Sequence, residues 1–147
     1  MKILFDTNVV LDVMLDRKPF SLYAAKLFSK VESKKLAGFL GATTITTIHY
    51  IARKTVGSEQ ARAEIEKLFK LFEIAPIDKP ILELAVKSKI TDFEDAVLHE
   101  AGKNIEVDAI VTRNPKDFKK GTLPVYSPEE LLKLLEKESK DATSDKG

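Results

Sequence analysis

Cysteine is absent from the 147 residues, which excludes disulfides, thiolate metal sites and a cysteine nucleophile. Tryptophan is absent too, and the two histidines, His49 and His99, lack the paired spacing of a zinc site. The six glycines are scattered, so no glycine-rich phosphate loop exists, and no Gly-x-Ser-x-Gly elbow occurs. A dominant sign of charge is also missing. With 24 Lys and Arg against 23 Asp and Glu, no global basic field advertises nucleic acid, and such binding would need a local patch. No stretch approaches the roughly 20 apolar residues of a membrane span, and no charged segment followed by a long apolar one opens the chain. The expectation is a cytoplasmic protein without a membrane partner.

What is present is an alternation of strand-length and helix-period segments, in a length that suits one domain with one sizeable core. KILF (2–5) has strand length, and residues 9–15 read as a short helix or turn ended by DRKP. Apolar residues at 20, 23, 24, 27, 28 and 31 share one helix face. LAGFL (36–40) reads as a second strand. The TTITTIHYIARKTV segment is rich in β-branched residues, yet Ile45, Ile48, Ile51 and Ala52 at three–four spacing favour helix. Ser58 is placed to cap a helix with Ala61, Ile65, Leu68, Phe69 and Phe72 on its inner face. EIAPI (73–77) reads as a third strand, and Asp78 caps a helix to about Lys89. Asp92 opens another helix to about Asn104, with Phe93, Ala96, Val97 and Ala101 in register. DAIVT (108–112) reads as a fourth strand, RNPKDF as a loop because Asn-Pro favours a turn, and a short strand is expected near Val125. A last helix opens with Ser127 as cap, Pro128 at its first position and Glu130 completing a capping box. The domain is expected to span 1–138, with 139–147 as a disordered tail that has no large apolar residue. Strands alternating with helices imply an α/β chain with a mostly parallel sheet covered on both faces. Sites in such sheets lie beyond the carboxyl ends of the strands.

Three groups fall at those ends. Asp6 stands between two apolar runs and is explained equally well as a helix cap or as part of an acidic site; Asn8 admits the same bland explanation. TDFEDA puts Asp92, Glu94 and Asp95 at a helix start, where the helix dipole alone favours acids. Asp95, directly before apolar Ala96 and Val97 and two residues from Phe93, looks less like a solvated acid. VTRNPKDF puts Thr112, Arg113 and Asn114 after the fourth strand, with Asp117 three residues on, although turn chemistry alone explains Asn114 and Pro115. With the Thr47 segment after strand two, all should emerge on one sheet edge. Crowded carboxylates raise one another's pKa unless a cation is present. A hard ion such as Mg²⁺ takes oxygen ligands, keeps several waters, and can lower the pKa of a bound water beside a phosphoryl group. Lys116, Lys119 and Lys120, near Asp117, either meet a nucleic-acid backbone or form a solvated loop. A phosphotransfer receiver or an aspartyl-phosphate phosphatase also places an Asp after strand one. The phosphatase wants a second Asp where Asn8 stands, and the receiver wants an acidic pair there and another Asp after the third strand, where only Asp78 is found.

LFDTNVVLDVML, FEDAVLHEAG and DAIVTRNPKDF, in that order and spacing, resemble the PIN domain, the fold of VapC-type toxin ribonucleases, over about residues 1–135. The resemblance implies an α/β/α sandwich, RNA as substrate, dependence on Mg²⁺ or Mn²⁺, frequent homodimers, and a cognate antitoxin that occupies the site. Carried over by position, Asp6 matches the family's first acid and Asp95 its third; the fourth falls at Asn114, with Asp117 a nearby acid that compensates. The implied metal ligands are Asp6, Asp95 and Asp117. Asn114 joins them in catalysis, and Asn8, Thr47, Glu94 and Thr112 support them. The second acid's place falls at Thr47, and no carboxylate stands from Thr43 to Tyr50. Thr47 and Asn114 offer neutral oxygens where the family carries charge, which lowers the expected metal affinity. The leading expectation is a metal-dependent endoribonuclease, the toxin of a toxin–antitoxin pair, in which an activated water attacks phosphorus in line. The alternative is a catalytically weak or inactive PIN module that binds RNA or a protein partner.

Overall fold

A computed structural model of the chain describes residues 1–144. Five strands, β1 (Lys2–Phe5), β2 (Ala37–Gly41), β3 (Glu73–Ala75), β4 (Ala109–Val111) and β5 (Val125–Tyr126), form one sheet in the order β3-β2-β1-β4-β5. Each pairing is parallel, with Ile3 opposite Gly38 on one side and Ala109 on the other. The connecting helices are α1 (Thr7–Met14), α2 (Phe20–Glu32), α3 (Ala42–Val56), α4 (Ser58–Leu71), α5 (Lys79–Val86), α6 (Phe93–Asn104) and α7 (Pro128–Ser144). The chain winds outward from β1 to β3, then returns to place β4 on the other side of β1. The reversal makes the carboxyl ends of β1 and β4 the switch point where a crevice opens.

Alternation along the strands sends side chains into two cores. Ile3, Phe5, Ala109 and Val111 pack with Val10, Leu27, Leu40, Ile48 and Leu131 on one face. Leu4 and Ile110 pack with Ile81, Ile90, Val97, Leu98 and Phe118 on the other. Burial on both faces explains why the strands read as continuous apolar runs, and the result is an α/β/α sandwich. Phe5, Phe28 and Phe72 meet edge to face, with ring centroids 5.1 to 5.9 Å apart. Gly38 lies against this trio: a Cβ there would fall 2.6 Å from the Phe72 ring, so the strand has room for glycine alone.

Local chemistry behaves largely as the residue types require. Asp78 and Asp92 cap α5 and α6, accepting from Ile81 N and Asp95 N. The capping box at Ser127 and Glu130 closes in both directions, at 3.1 and 3.0 Å. Four details differ from expectation. Ser58 is the first residue of α4 and not its cap; Gly57, at φ 85°, makes the turn between α3 and α4 in a conformation that glycine tolerates. Phe20, Tyr23, Phe69 and Phe93 are 43%, 38%, 53% and 52% exposed, so the core does not cover these positions of their helix faces. β3 and α5 are shorter than their apolar patterns, ending at Ala75 and Val86, and the loop after β4 contains a 3₁₀ turn over Pro115–Phe118. Helix α7 continues to Ser144, through most of the segment expected as a tail; residues 145–147 lie outside the described residues. Among the described residues no helix is long and apolar enough to cross a membrane.

His99, 2% exposed, is unrelated to any metal pattern. Its Nε2 accepts from the backbone N–H groups of Thr122 and Leu123 at 3.0 and 3.2 Å. Burial holds its pKa below the usual value, which keeps Nε2 free to accept. A Cβ on Gly121 would lie 2.5 Å from that nitrogen, so glycine is needed for the approach. His99 thereby fixes the segment that leads from the 3₁₀ turn to β5.

Candidate active site

Asp6 is the helix cap that its sequence context allowed, and its second carboxylate oxygen faces the end of β4. As the cap of α1, its Oδ1 accepts from Thr7 N at 2.9 Å. Its Oδ2 accepts from Thr112 Oγ1 at 2.8 Å, across the β1–β4 switch point. Asp6 N donates to Val111 O at 2.9 Å, so backbone and side chain both tie the end of β1 to the end of β4. Burial raises the Asp6 pKa; the bonds from Thr112 and Thr7 pull it down, and the charges of Asp117 and Asp92 push it up again. Thr112, only 2% exposed, also accepts from Asn114 N at 3.3 Å, linking the first acid to the loop after β4.

The other acids approach from α6 and the 3₁₀ turn. Asp95 is pushed up to about 7, by burial first and then by the charges of Asp6, Asp92, Asp117 and Glu94. Glu94 is raised by burial and by Asp92 and Asp6. Asp6, Glu94 and Asp95 thus sit in one field of negative charge, to which Asp92 and Asp117 contribute. Beside it a cavity of about 480 Å³ is lined by Thr91, Asp92, Asp95 and Asp117 together with Lys116, Lys119 and Lys120. The lysine cluster is solvent-exposed and borders the acids.

A second ionic system holds the loop from behind. Asp12, 1% exposed, accepts from Nε of Arg113 at 3.1 Å and from its Nη2. The Arg113 guanidinium lies 3.9 Å from the centre of the Phe20 ring. Arg17 approaches the same carboxylate at 3.9 Å. Because Arg113 stands between Thr112 and Asn114, the pair anchors the residues that orient Asp6.

A family model described as "PIN domain" matches residues 2–116. The chain belongs to the PIN domain family. Ribonuclease VapC1 of Aquifex aeolicus (strain VF5) is 24% identical to it over 135 residues, covering 88% of this chain and 92% of that protein. VapBC2 from Rickettsia felis, solved bound to a DNA fragment from its promoter, has the same fold at a TM-score of 0.66 and 14% identity, over 86% of this chain and 98% of that one. A toxin-antitoxin complex from Klebsiella pneumoniae superposes at a TM-score of 0.64 with 24% identity, over 86% of this chain and 97% of its own.

In this PIN domain the α3 hydroxyl that meets α1 beside Asp6 is that of Thr44. Thr44 is fully buried, and its Oγ1 lies 2.9 Å from Thr7 Oγ1. Among the described residues no hydrogen bond joins Asn8, Thr47 or the Asn114 side chain to the acids, and no three His, Cys, Asp or Glu side chains stand close enough to hold a metal ion as arranged. The donor set nevertheless suits a hard cation. It consists of carboxylates that repel one another, and such an ion needs only one or two of them beside its waters.

Proposed function

We propose that this PIN domain is a metal-dependent endoribonuclease, hydrolysing RNA phosphodiester bonds as the toxin of a toxin–antitoxin pair. The observation that carries the reading is the field of five acids at the β1–β4 switch point, bordered by three lysines. Its support comes from the ribonuclease relative and from solved neighbours that are toxin–antitoxin complexes. Asp6 and Asp95 would hold Mg²⁺ or Mn²⁺, with Asp117 or Asn114 completing the shell and Asn8, Glu94, Thr47 and Thr112 in support. A cation bound there supplies a water of lowered pKa and neutralises charge on the phosphate. Thr112 fixes the rotamer of Asp6 through the 2.8 Å bond to Oδ2, and the lysines lining the cavity meet the non-bridging phosphate oxygens. The same reading includes a homodimer, an antitoxin partner and a cytoplasmic location. Leu84 and Val86 on α5, 52% and 72% exposed, offer apolar surface to a second chain.

Incubation of the purified chain with single-stranded and structured RNA plus Mg²⁺ or Mn²⁺ tests the claim, beside an Asp6→Asn control. Cleavage that the substitution abolishes is the expected result; identical decay with both proteins would remove the catalytic role. A second reading, a PIN module that binds RNA or a protein without cleaving, is favoured by the missing acid near Thr47 and the absence of a ready three-ligand cluster among the described residues. Calorimetric titration separates the two: no heat of binding at millimolar Mg²⁺ or Mn²⁺ favours the non-catalytic module.

A further inference from the structure

A second cavity, of about 240 Å³, has Arg113 of the loop after β4 among its walls. Its walls include Pro19, Phe20, Tyr23 and Pro128, so flat apolar faces dominate the surface. Phe20 and Tyr23 are 43% and 38% exposed, although both stand on the helix face that the sequence assigns to the core. Arg113 and Asp12 form the floor as an ion pair, with Arg17 3.9 Å from the same carboxylate. The guanidinium among the lining residues is held by Asp12 through Nε and Nη2 and stacked on Phe20. The rim carries Ser127, whose Oγ accepts from Glu130 N and keeps its own proton to donate, and Glu129, a carboxylate that accepts.

We infer that this cavity is a subsite for one nucleobase of a single-stranded nucleic acid whose backbone crosses the acid field. The inference rests on the reading of that field as an RNA site. Each property of the wall selects a base over other occupants. The volume lies below the roughly 300–1,000 Å³ of pockets for drug-sized ligands, which suits a single ring system. Aromatic faces and a guanidinium plane are the surfaces on which unstacked bases are received, whatever their sequence. The donor and acceptor on the rim match base edges. Continuity with the acid field comes through the backbone: Arg113 in the floor of one site adjoins Thr112 and Asn114, which serve the other.

The probe is a free nucleoside, which has no phosphodiester, added without metal to the ¹⁵N-labelled full chain and followed by NMR. Millimolar guanosine or cytidine should shift the amides around Phe20, Tyr23, Arg113 and Ser127, while ribose and inorganic phosphate leave them in place. Tyr23→Ala, at a partly exposed position, should weaken nucleoside binding roughly five-fold or more, the low end of what losing one stacking partner does. Phe20→Leu provides a second variant if Tyr23→Ala disturbs the spectrum elsewhere. Absence of nucleoside shifts, or equal binding by both variants and the wild type, overturns the subsite and leaves the cavity to a protein side chain. Because neither cleavage nor metal enters the readout, nucleoside binding stands even if no RNA is cut, and RNA cleavage stands even if the cavity ignores nucleosides.

Discussion

Replacing Asp95 by Asn should make the metal-free protein more stable while impairing its proposed function. The Asp95 carboxyl is pushed from 3.8 up to about 7, by burial and by the charges of Asp6, Asp92, Asp117 and Glu94. At about 1.36 kcal/mol per pH unit, that displacement sets a ceiling of about 4 kcal/mol on what the ionised group costs the fold. Asp95 is only half-buried, and water screens much of the repulsion, so about 1–2 kcal/mol is the expected gain. In a domain of this size such a gain raises Tm by about 3–6 °C. The sign follows from linkage. A carboxyl whose folded pKa lies above its unfolded value penalises folding fully above about pH 7, and the penalty vanishes as pH falls toward 4. Thermal unfolding of wild type and Asp95→Asn in chelator, at pH 8 and at pH 5, reads the effect directly. The difference in Tm should be large at the higher pH and shrink at the lower one. A variant no more stable than wild type at pH 8, or a difference independent of pH, would refute the picture of mutually repelling acids.

Other outcomes follow from the same geometry. Thr112→Val removes the buried donor to Asp6 Oδ2, which should cost about 1.5–3 kcal/mol in chemical denaturation, the usual range for a hydrogen bond to a charged group. Asp12→Ala leaves Arg113 without its anion; because Arg113 keeps some exposure, a loss of about 3 kcal/mol is expected by the same assay. His99 has a folded pKa below its unfolded one, so the stability it provides is present above about pH 6.5 and lost as pH falls below that value. His99→Phe should flatten that acid limb of the stability profile, while lowering stability at neutral pH because Thr122 N and Leu123 N lose their acceptor.

Much of the fold was legible because its signals are local. Cap chemistry at Asp78, Asp92 and Ser127 involves residues three apart, and the strands announce themselves as short apolar runs. Helix period told which residues share a face but not whether anything covers that face. Phe69 and Phe93 lie in register with buried neighbours and still point to solvent. The loop after β4 and the cap at Asp6 were correctly placed at one sheet edge, because parallel topology dictates which strand ends meet. The α3 contact was not legible: four threonines stand among residues 43–47, and choosing Thr44 requires the rotational phase of the helix against α1. The Asp12–Arg113 pair spans 101 residues, and nothing in one sequence marks which Arg will find which Asp. His99 likewise looked idle because its partners are backbone groups more than 20 residues on.

The central claim is that Asp6 and Asp95 together hold a divalent cation at the β1–β4 switch point. Titration of Mn²⁺ into the ¹⁵N-labelled chain tests it most directly, because the paramagnetic ion broadens the amides nearest to it. The account predicts selective broadening around Asp6, Asp95 and the loop from Thr112 to Asp117, lost in Asp6→Asn. Broadening centred elsewhere, or unchanged by that substitution, would contradict it.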